Sequence, residues 1–328
     1  MKTLVKVKSP ANIAFIKYWG RRNHKLILPC NSSFSMNLSD CSVTVQIKKI
    51  EKDKGSSLFI KEYESDKYIK NTDSAYEKTI KFFQTAQDFL GKKADFDISV
   101  KSSITFPRSA GIASSAAYFS ALALGFCKLL DVELDKKQLS ILARLSGSGS
   151  ACRSVPDGFV LWHKGNSSES SYAESLADPK FWSLVDVVVI VSDKSKKVAS
   201  AEGHQAADTS PLFDERVYGV EKRLKLMLKA FENKDLEKFG HLLEAEALSM
   251  HSVMMTQRPN LYYWSLETFK LMKSVVKLRE SGLPVFFTID AGANLHLITE
   301  SRYLSKLKPA IGKYKFIVNR PAFGAKVL

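Results

Sequence analysis

Residues 9–20 read Ser-Pro-Ala-Asn-Ile-Ala-Phe-Ile-Lys-Tyr-Trp-Gly, so an amide, an ammonium group and a phenol lie along an otherwise apolar stretch near the N-terminus. Three later segments carry matching chemistry: a Gly/Ser loop at 107–116, a Gly/Ser run with an arginine at 147–154, and Thr-Ile-Asp-Ala-Gly-Ala-Asn at 288–294. Together the four segments supply one candidate base, two cations, an amide and a phosphate cradle. These groups are the equipment of a phosphoryl-transfer site.

The length and composition predict a folded protein with two lobes. The chain has 328 residues, of which 45% are hydrophobic and 25% charged. That length exceeds the size at which one hydrophobic core usually stops growing, so we expect two lobes with a cleft between them. No apolar run approaches the roughly 20 residues of a membrane helix, and the N-terminus alternates like a strand without the apolar core of a signal peptide. We therefore predict a cytoplasmic protein with no membrane partner.

The net charge of +15, from 49 Lys and Arg against 34 Asp and Glu, suits a polyanionic partner. Nucleic acid, an anionic membrane or a small polyanionic substrate would each fit this balance. The lysines are spread along nearly every segment, and the densest runs, at 48–54 and 194–197, resemble loop charge more than a nucleic-acid surface. We therefore predict no nucleic-acid partner. The four cysteines lack the spacing of a disulfide framework or a zinc site, so we predict no metal centre built from protein ligands.

Hydrophobic periodicity predicts an α+β fold. In the first half we predict strands at 3–8, 41–50, 58–60, 96–100 and 158–162, and helices at 74–91, 116–130 and 136–145. The second half begins near Leu184 with the most strand-like run of the chain. Helices at 216–233, 236–255 and 262–281 follow, with strands at 285–290, 295–298 and 316–318. We therefore expect one lobe at 1–183 and a second at 184–328.

The segment 107–116 lies between a predicted strand and a predicted helix. The first N–H groups of a helix lack partners within the helix, and its dipole favours an anion there, so this loop can hold phosphate. No Gly-Lys-Ser/Thr follows, which excludes the lysine-containing P-loop. An ordinary capped helix after a strand-to-helix turn remains the alternative.

Asp290 ends a predicted strand, where burial stops and Gly292 bends the chain. A carboxylate there can accept a hydroxyl proton if a nearby cation keeps it ionised, and Lys17 is the candidate cation. The guanidinium of Arg153 fits a carboxylate through two hydrogen bonds, and Asn12 is a candidate ligand donor. The alternatives are a turn aspartate bonded to its own backbone, a surface ion pair for Arg153 and a core amide for Asn12.

These segments together resemble the diphosphomevalonate decarboxylases of the GHMP kinase superfamily over essentially the whole chain. The family's Asn-Ile-Ala-x-Ile-Lys-Tyr-Trp-Gly stands at 12–20, its Leu-Pro-x-Asn-Ser-Ser-x-Ser at 28–35 and its Gly-Ser-Gly-Ser-Ala-x-Arg-Ser at 147–154. The phosphate motif stands at 106–116 with Ile112 for Leu, and Asp-Ala-Gly-Pro-Asn stands at 290–294 with Ala293 for Pro. Thr-Ser-Pro at 209–211 also matches.

The resemblance implies a two-lobed α+β GHMP kinase fold, with an N-terminal lobe like ribosomal protein S5 and a ferredoxin-like C-terminal lobe. It implies that ATP and Mg2+ are used to phosphorylate the 3-hydroxyl of mevalonate 5-diphosphate. Phosphate and carbon dioxide are then lost to leave isopentenyl diphosphate. Homodimerisation is also typical of the family.

The resemblance also implies roles for individual residues. Asp290 takes or orients the hydroxyl proton, Lys17 keeps Asp290 ionised, and Arg153 and Asn12 hold the C1 carboxylate. The implied contacts to the 5-phosphoester are Tyr18, Arg21, Ser148, Gly149, Ser150 and Ser200. The implied contacts to ATP are Ser102, Ser109, Ala110, Gly111, Ile112, Ala113, Ser114 and Ser115.

Several departures from the family pattern fall on the 5-phosphoester side. Arg21 stands where Lys is usual, Ala201 where Arg or Thr is common and His204 where Met is usual, and no Arg occurs in 51–101. A 5-monophosphate substrate is therefore an alternative. A kinase that phosphorylates the 3-hydroxyl and stops is a second alternative. A protein that binds nucleic acid or an anionic surface and keeps this fold is a third, from a different class.

Overall fold

The computed structural model describes residues 3–107, 111–192 and 203–328. Ser109, Ala110, Ser200 and Ala201, for which the resemblance implies contacts or departures, lie outside these ranges. The strands of the described residues are β1 (Leu4–Ile16), β2 (Arg21–Asn23), β3 (Leu28–Pro29), β4 (Ser33–Glu51), β5 (Ser57–Lys61), β6 (Ile69–Asn71), β7 (Phe96–Ile104), β8 (Phe159–Trp162), β9 (Ala173–Ala177), β10 (Leu184–Ile190), β11 (Phe286–Thr288), β12 (Leu295–Glu300), β13 (Lys315–Asn319) and β14 (Lys326–Val327). The α-helices are α1 (Ser74–Leu90), α2 (Ser114–Leu129), α3 (Lys136–Arg144), α4 (Phe213–Glu232), α5 (Leu236–Thr256), α6 (Leu266–Glu280) and α7 (Leu304–Ile311).

An eight-stranded sheet forms the first layer, in the order β14-β1-β4-β7-β5-β6, with β8 paired to β4 and β9 paired to β8. The long strands β1 and β4 run antiparallel, and their register shifts between Pro10 and Asn12, because proline has no N–H to give to the ladder. The apolar helix α2 covers these two strands. Its Gly125 permits the close approach, since a Cβ there would lie 2.4 Å from Cδ1 of Ile47.

A four-stranded sheet of order β11-β12-β10-β13 forms the second layer. All of its recorded pairs are antiparallel, and its strands alternate between two apolar faces. One face, with Val187 and Leu297, belongs to a core that includes residues of α6 and α7. The opposite face, with Val188 and Ile298, joins the large core of the first sheet. The second sheet therefore connects directly to the first.

The structure confirms most predicted elements and corrects several boundaries. Helix α6 begins at Leu266, because Ser265 and Thr268 form a capping box, and not at 262 as predicted. Strand β11 ends at Thr288, so Asp290 lies in the turn that follows. The final strand β14 pairs with β1 of the first sheet. The boundary between 183 and 184 stays a prediction. Within the described ranges, no helix is both long and apolar enough to cross a membrane.

Candidate active site

The centre of the site is an ion pair between Lys17 and Asp290. Lys17 is the first residue after β1, and Asp290 lies in the turn after β11. Nζ of Lys17 lies 2.5 Å from Oδ1 of Asp290, and the side chains are 1% and 19% exposed. The ammonium is therefore enclosed, whereas the carboxylate remains open to an incoming group.

The surrounding charges keep Asp290 ionised. Burial acts to raise the pKa of Asp290, but the charges of Lys17, His296 and Arg153 outweigh it and lower that pKa. Burial lowers the pKa of Lys17, against the attraction of Asp290. An ionised carboxylate with one oxygen on a cation and an open side can accept a hydrogen bond from a substrate hydroxyl.

Arg153 is a buried guanidinium in a rigid setting. It is 3% exposed and lies in a short 3-10 helix, Gly149–Ser154, so the alternative of a surface ion pair is wrong. Its Nε donates to Oδ1 of Asn12 at 3.0 Å, and its Nη1 donates to Oγ of Ser33 at 2.8 Å. Among the described residues, no carboxylate lies within ion-pair distance of Arg153, and none accepts a hydrogen bond from Nη2. A buried cation with a donor to spare can bind an anionic ligand group.

Asn12 acts as a support for this guanidinium. It is buried, and its Nδ2 donates to Oγ of Ser154 at 2.8 Å and to the carbonyl of Ser150 at 3.3 Å. These bonds orient the amide so that its oxygen faces Arg153. Within the protein, Asn12 is therefore a buried amide whose polar groups are all hydrogen-bonded, as the core-amide alternative predicts. A direct contact with substrate stays a prediction.

Tyr18 and Arg21 form a second polar cluster with the 147–150 run. Nε of Arg21 donates to the hydroxyl of Tyr18 at 2.7 Å, and its Nη2 donates to the carbonyl of Gly147 at 2.9 Å. Burial raises the pKa of Tyr18 to about 12. A Cβ on Gly149 would lie 3.0 Å from the hydroxyl of Tyr18, so the close approach of this run suits glycine. The structure thus brings together three of the predicted phosphoester contacts, Tyr18, Arg21 and Gly149.

The phosphate loop, residues 107–116, meets this cluster through Ser115. Its hydroxyl lies 3.0 Å from that of Ser148, which connects the predicted ATP side with the predicted phosphoester side. Ala113 precedes α2 in a left-handed conformation with φ of 38°, and it supplies no side-chain cap. Among the residues that the structure describes, no side chain caps the first turn of α2, so its backbone N–H groups can donate to a phosphate oxygen.

Other predicted ATP contacts are placed less directly. The side chain of Ile112 is 3% exposed and packs in the large core, so only its backbone is available to a nucleotide. Ser102 lies buried near the end of β7. Gly111 has φ of 84°, and a Cβ there would lie 3.0 Å from Cα of Gly292. The phosphate loop therefore touches the turn that carries Asp290.

Three supporting residues were not found from the sequence. Ser33 accepts a hydrogen bond from Arg153. Glu246 accepts one from the backbone N–H of Lys17. His251 is buried, and burial followed by the charge of Lys17 lowers its pKa to about 3, against the influence of the Asp290 charge and of the backbone at 289–290. The sequence signal that could have indicated Glu246 is its position as a carboxylate within the apolar stripe of a predicted helix.

The Thr209-Ser210-Pro211 match has a structural role at the start of α4. Ser210 shares a 2.7 Å hydrogen bond with the hydroxyl of Thr256 at the end of α5. The hydroxyl of Thr209 accepts from the backbone N–H of Arg258 at 2.7 Å. This segment joins the ends of the two helices.

Comparisons with known proteins agree with this geometry. A family model described as diphosphomevalonate decarboxylase-like N-terminal domain matches residues 9–173, and one described as mevalonate 5-diphosphate decarboxylase C-terminal domain matches residues 186–321. The diphosphomevalonate decarboxylase of Candida albicans is 34% identical over 297 residues, covering 88% of this chain and 82% of the relative. That of Debaryomyces hansenii is 33% identical over 319 residues, covering 93% and 82%.

Solved structures show the same likeness. The mevalonate diphosphate decarboxylase of Staphylococcus aureus superposes with a TM-score of 0.92 at 30% identity, covering 100% of this chain and 98% of the other. A structure described as MDDEF in complex with MVAPP, AMPPCP and magnesium gives a TM-score of 0.91 at 30% identity and covers 99% of both chains. These likenesses confirm the predicted two-lobed α+β GHMP kinase fold.

Proposed function

This chain belongs to the diphosphomevalonate decarboxylase family, and we propose that it converts mevalonate 5-diphosphate to isopentenyl diphosphate. The reaction consumes ATP, phosphorylates the 3-hydroxyl, and releases phosphate and carbon dioxide. The observation that carries this proposal is the ionised Asp290 on Lys17, together with the buried Arg153 that has no carboxylate partner among the described residues.

Asp290 receives or orients the proton of the 3-hydroxyl. Its second oxygen is free of Lys17, and its lowered pKa keeps the carboxylate ionised when substrate arrives. Lys17 holds that carboxylate in place and adds positive charge near the phosphoryl group that is transferred. Such positioning and charge stabilisation are the main protein contributions to phosphoryl transfer.

Arg153 holds the C1 carboxylate, with Asn12 and Ser33 fixing the orientation of the guanidinium. When the C3–O bond breaks, its electron pair leaves with phosphate and positive charge develops at C3. The C1–C2 bond then supplies the electron pair of the new double bond, and C1 departs as carbon dioxide. A fixed guanidinium keeps the carboxylate aligned with C3 until that step.

The phosphate loop and the start of α2 hold ATP through backbone N–H groups and through the hydroxyls of Ser114 and Ser115. Their fit is supported by the uncapped start of α2, where Ala113 offers no competing side chain. When bound with ATP, Mg2+ would neutralise part of the phosphate charge. Hydroxyl oxygens such as that of Ser115 are suitable hard ligands for this ion. The contribution of Ser102 stays a prediction.

Tyr18, Arg21, Ser148, Gly149 and Ser150 form the 5-diphosphate end of the site. Arg21, which stands where Lys is usual, is held by two hydrogen bonds and keeps its cationic group beside Tyr18. The diphosphate is favoured over the 5-monophosphate by the relatives' names and by the MVAPP complex. Ser200 is proposed for the same end and lies outside the described residues.

The remaining alternatives have less support. A kinase that stops after phosphorylation is disfavoured because the relatives and the solved structures are named decarboxylases, and because Asp290, Lys17 and Arg153 are all retained. A nucleic-acid or surface-binding role is disfavoured by family membership. Homodimerisation and a cytoplasmic location stay predictions, and sedimentation of the purified protein would test the former.

The proposed function is tested by product analysis. The purified protein is incubated with MgATP and either mevalonate 5-diphosphate or the 5-monophosphate, and carbon dioxide, phosphate and isopentenyl products are measured. We expect all three products from the diphosphate and a much smaller yield from the monophosphate. Accumulation of a stable 3-phosphate without carbon dioxide would instead support the kinase.

A further inference from the structure

The backbone of Lys17 is buried at a point where the sheet no longer supplies its hydrogen bonds. The last recorded pair between β1 and β4 joins Ile16 to Phe34. Lys17 follows immediately, and the residue is 1% exposed. A buried residue beyond the end of the strand pairing needs other hydrogen-bond partners for its N–H and C=O groups.

Those partners are three side chains from three other parts of the chain. The N–H of Lys17 donates to Oε1 of Glu246 at 3.2 Å. The C=O of Lys17 accepts from Nδ2 of Asn31 at 2.9 Å and from Nη2 of Arg216 at 3.3 Å. Glu246 lies on α5, Arg216 on α4 and Asn31 between β3 and β4, so two helices and a loop hold the N–H and C=O groups of Lys17.

Glu246 is itself fixed by two guanidinium groups. Its side chain is 0% exposed, and its Oε1 lies 2.5 Å from Nη2 of Arg216. Its Oε2 lies 2.8 Å from Nε of Arg223. Arg216 also reaches Oδ1 of Asn31 at 3.4 Å, which closes the network around the Lys17 peptide. A carboxylate buried this completely is retained only if such partners compensate its charge.

Glu246 also changes the electrostatic balance at the Lys17 ammonium. Three charged groups act on it: Asp290 from the turn after β11, Arg153 from the 3-10 helix and Glu246 from α5. Asp290 and Glu246 favour the charged ammonium, whereas Arg153 opposes it. His251, also on α5, is kept neutral by burial and by Lys17 itself.

We infer that Glu246 is a positioning residue for Lys17, and that with Arg216 and Asn31 it fixes the backbone from which the ammonium reaches Asp290. Glu246 acts through Lys17 and does not contact the reacting groups. This inference rests on the proposed function for its kinetic consequences. Its geometric part concerns the Lys17 peptide and can be measured without turnover.

The test compares Glu246→Gln with a matched control on the same helix. Glu244 makes a two-point ion pair with Arg279 and accepts from the N–H of Phe287, but it does not contact Lys17. Glu244→Gln therefore removes another largely buried carboxylate, 12% exposed against 0% for Glu246, without altering the contacts of Lys17. Steady-state rates are measured with MgATP and mevalonate 5-diphosphate from mildly acidic to alkaline pH.

We expect Glu246→Gln to reduce kcat by about 10- to 100-fold while KM for ATP changes by less than about threefold. The alkaline limb of its kcat profile should move to lower pH. The sign follows because removal of a negative charge near an ammonium makes that ammonium easier to deprotonate. Glu244→Gln should leave the limb in place, with kcat within about threefold of the parent.

A second variant separates position from charge. Asn31→Ser removes the amide donor to the Lys17 carbonyl without changing any charge, so kcat should fall while the alkaline limb stays in place. Hydrogen–deuterium exchange of the 14–20 segment should be faster in Glu246→Gln than in Glu244→Gln. If Glu246→Gln does not fold, Asn31→Ser and its exchange rates carry the test.

The inference is overturned if Glu246→Gln and Glu244→Gln give the same pH profile and the same exchange at 14–20. It is also overturned if Asn31→Ser keeps parental kcat and parental exchange. Failure of the proposed function gives a different result, because the unaltered protein would then release no carbon dioxide from the diphosphate. In that case, hydrogen–deuterium exchange of the 14–20 segment in the two variants still tests whether Glu246 fixes the Lys17 backbone.

Discussion

Asp290→Asn tests the centre of the proposed mechanism. The substitution keeps the shape of the side chain but removes the charge that pairs with Lys17 at 2.5 Å. A positioned general base contributes typically about 100- to 10,000-fold to a rate, so we expect kcat to fall by that factor. This corresponds to a loss of about 3–5 kcal/mol of transition-state stabilisation.

The same substitution has a stability cost that can be worked from the structure. Removal of one partner of a buried pair typically costs about 3–5 kcal/mol, because the other charge is left without compensation. The charge left behind is that of Lys17, whose side chain is 1% exposed, but the position of its partner is 19% exposed, so water can solvate part of that charge. We therefore expect the lower end, about 3 kcal/mol, in the free energy of unfolding.

The cost of Asp290→Asn should depend on pH at both ends of the scale. The pKa of Asp290 is lowered in the fold, so its contribution is present above the unfolded pKa of the carboxyl and is lost as pH falls through the folded pKa. The pKa of Lys17 is lowered by burial, and without Asp290 it falls further, so the variant regains stability as Lys17 deprotonates at higher pH. The stability difference should be largest between these limits.

The assay combines release of carbon dioxide from labelled mevalonate 5-diphosphate, binding of an ATP analogue and urea unfolding across pH. Nucleotide binding should stay within about threefold of the parent, because the phosphate loop is not altered. Glu244→Gln serves as the control for a lost carboxylate at a distance from the reacting groups. Turnover of Asp290→Asn within about threefold of the parent would refute the assigned role.

Three further substitutions test the other parts of the site. Arg153→Lys replaces the planar guanidinium, which can bind a carboxylate through two hydrogen bonds, with an ammonium group. We expect kcat to fall about 100-fold with little change in ATP affinity, and the 3-phosphorylated intermediate to accumulate in quenched-flow samples. Gly111→Ala places a Cβ 3.0 Å from Cα of Gly292, at a residue with φ of 84°. KM for ATP should therefore rise, and thermal unfolding should occur at lower temperature. Parental values of both would contradict the contact. Tyr18→Phe frees Arg21 from one hydrogen bond, so KM for the diphosphate should rise about tenfold with kcat nearly unchanged. Because the pKa of Tyr18 is raised to about 12, pH profiles of the parent and Tyr18→Phe should agree between pH 6 and about 9.

The site could be predicted from sequence where local pattern and chemistry coincide. Asp290 follows a strand and precedes Gly292, and the structure places it in the turn after β11. Chemistry indicates Lys17 as the cation for Asp290, and the resemblance supports the pair, but no local pattern can show the contact because it spans 273 positions of sequence. The burial of Arg153 was not visible in its Gly/Ser context, which equally suits a surface loop.

The remaining features depend on non-local packing. The start of α2 was predicted two residues late, because Ala113 in a left-handed conformation is not a usual helix cap. The return of β14 to the first sheet involves two residues, too few for any periodicity. Glu246 pairs with Arg216 across two helices, and neither residue has a local pattern that indicates the other.

The contact between Gly111 and Gly292 limits how this protein can change over evolution or by design. The backbones of Gly111 and Gly292 set the spacing between the phosphate loop and Asp290. Substitutions of side chains elsewhere therefore leave that spacing unaltered. Any residue larger than glycine at position 111 pushes the phosphate loop and the Asp290 turn apart. Attempts to enlarge the site for bulkier alcohols should therefore remodel the wall around Tyr18 and Gly149, where side chains set the dimensions.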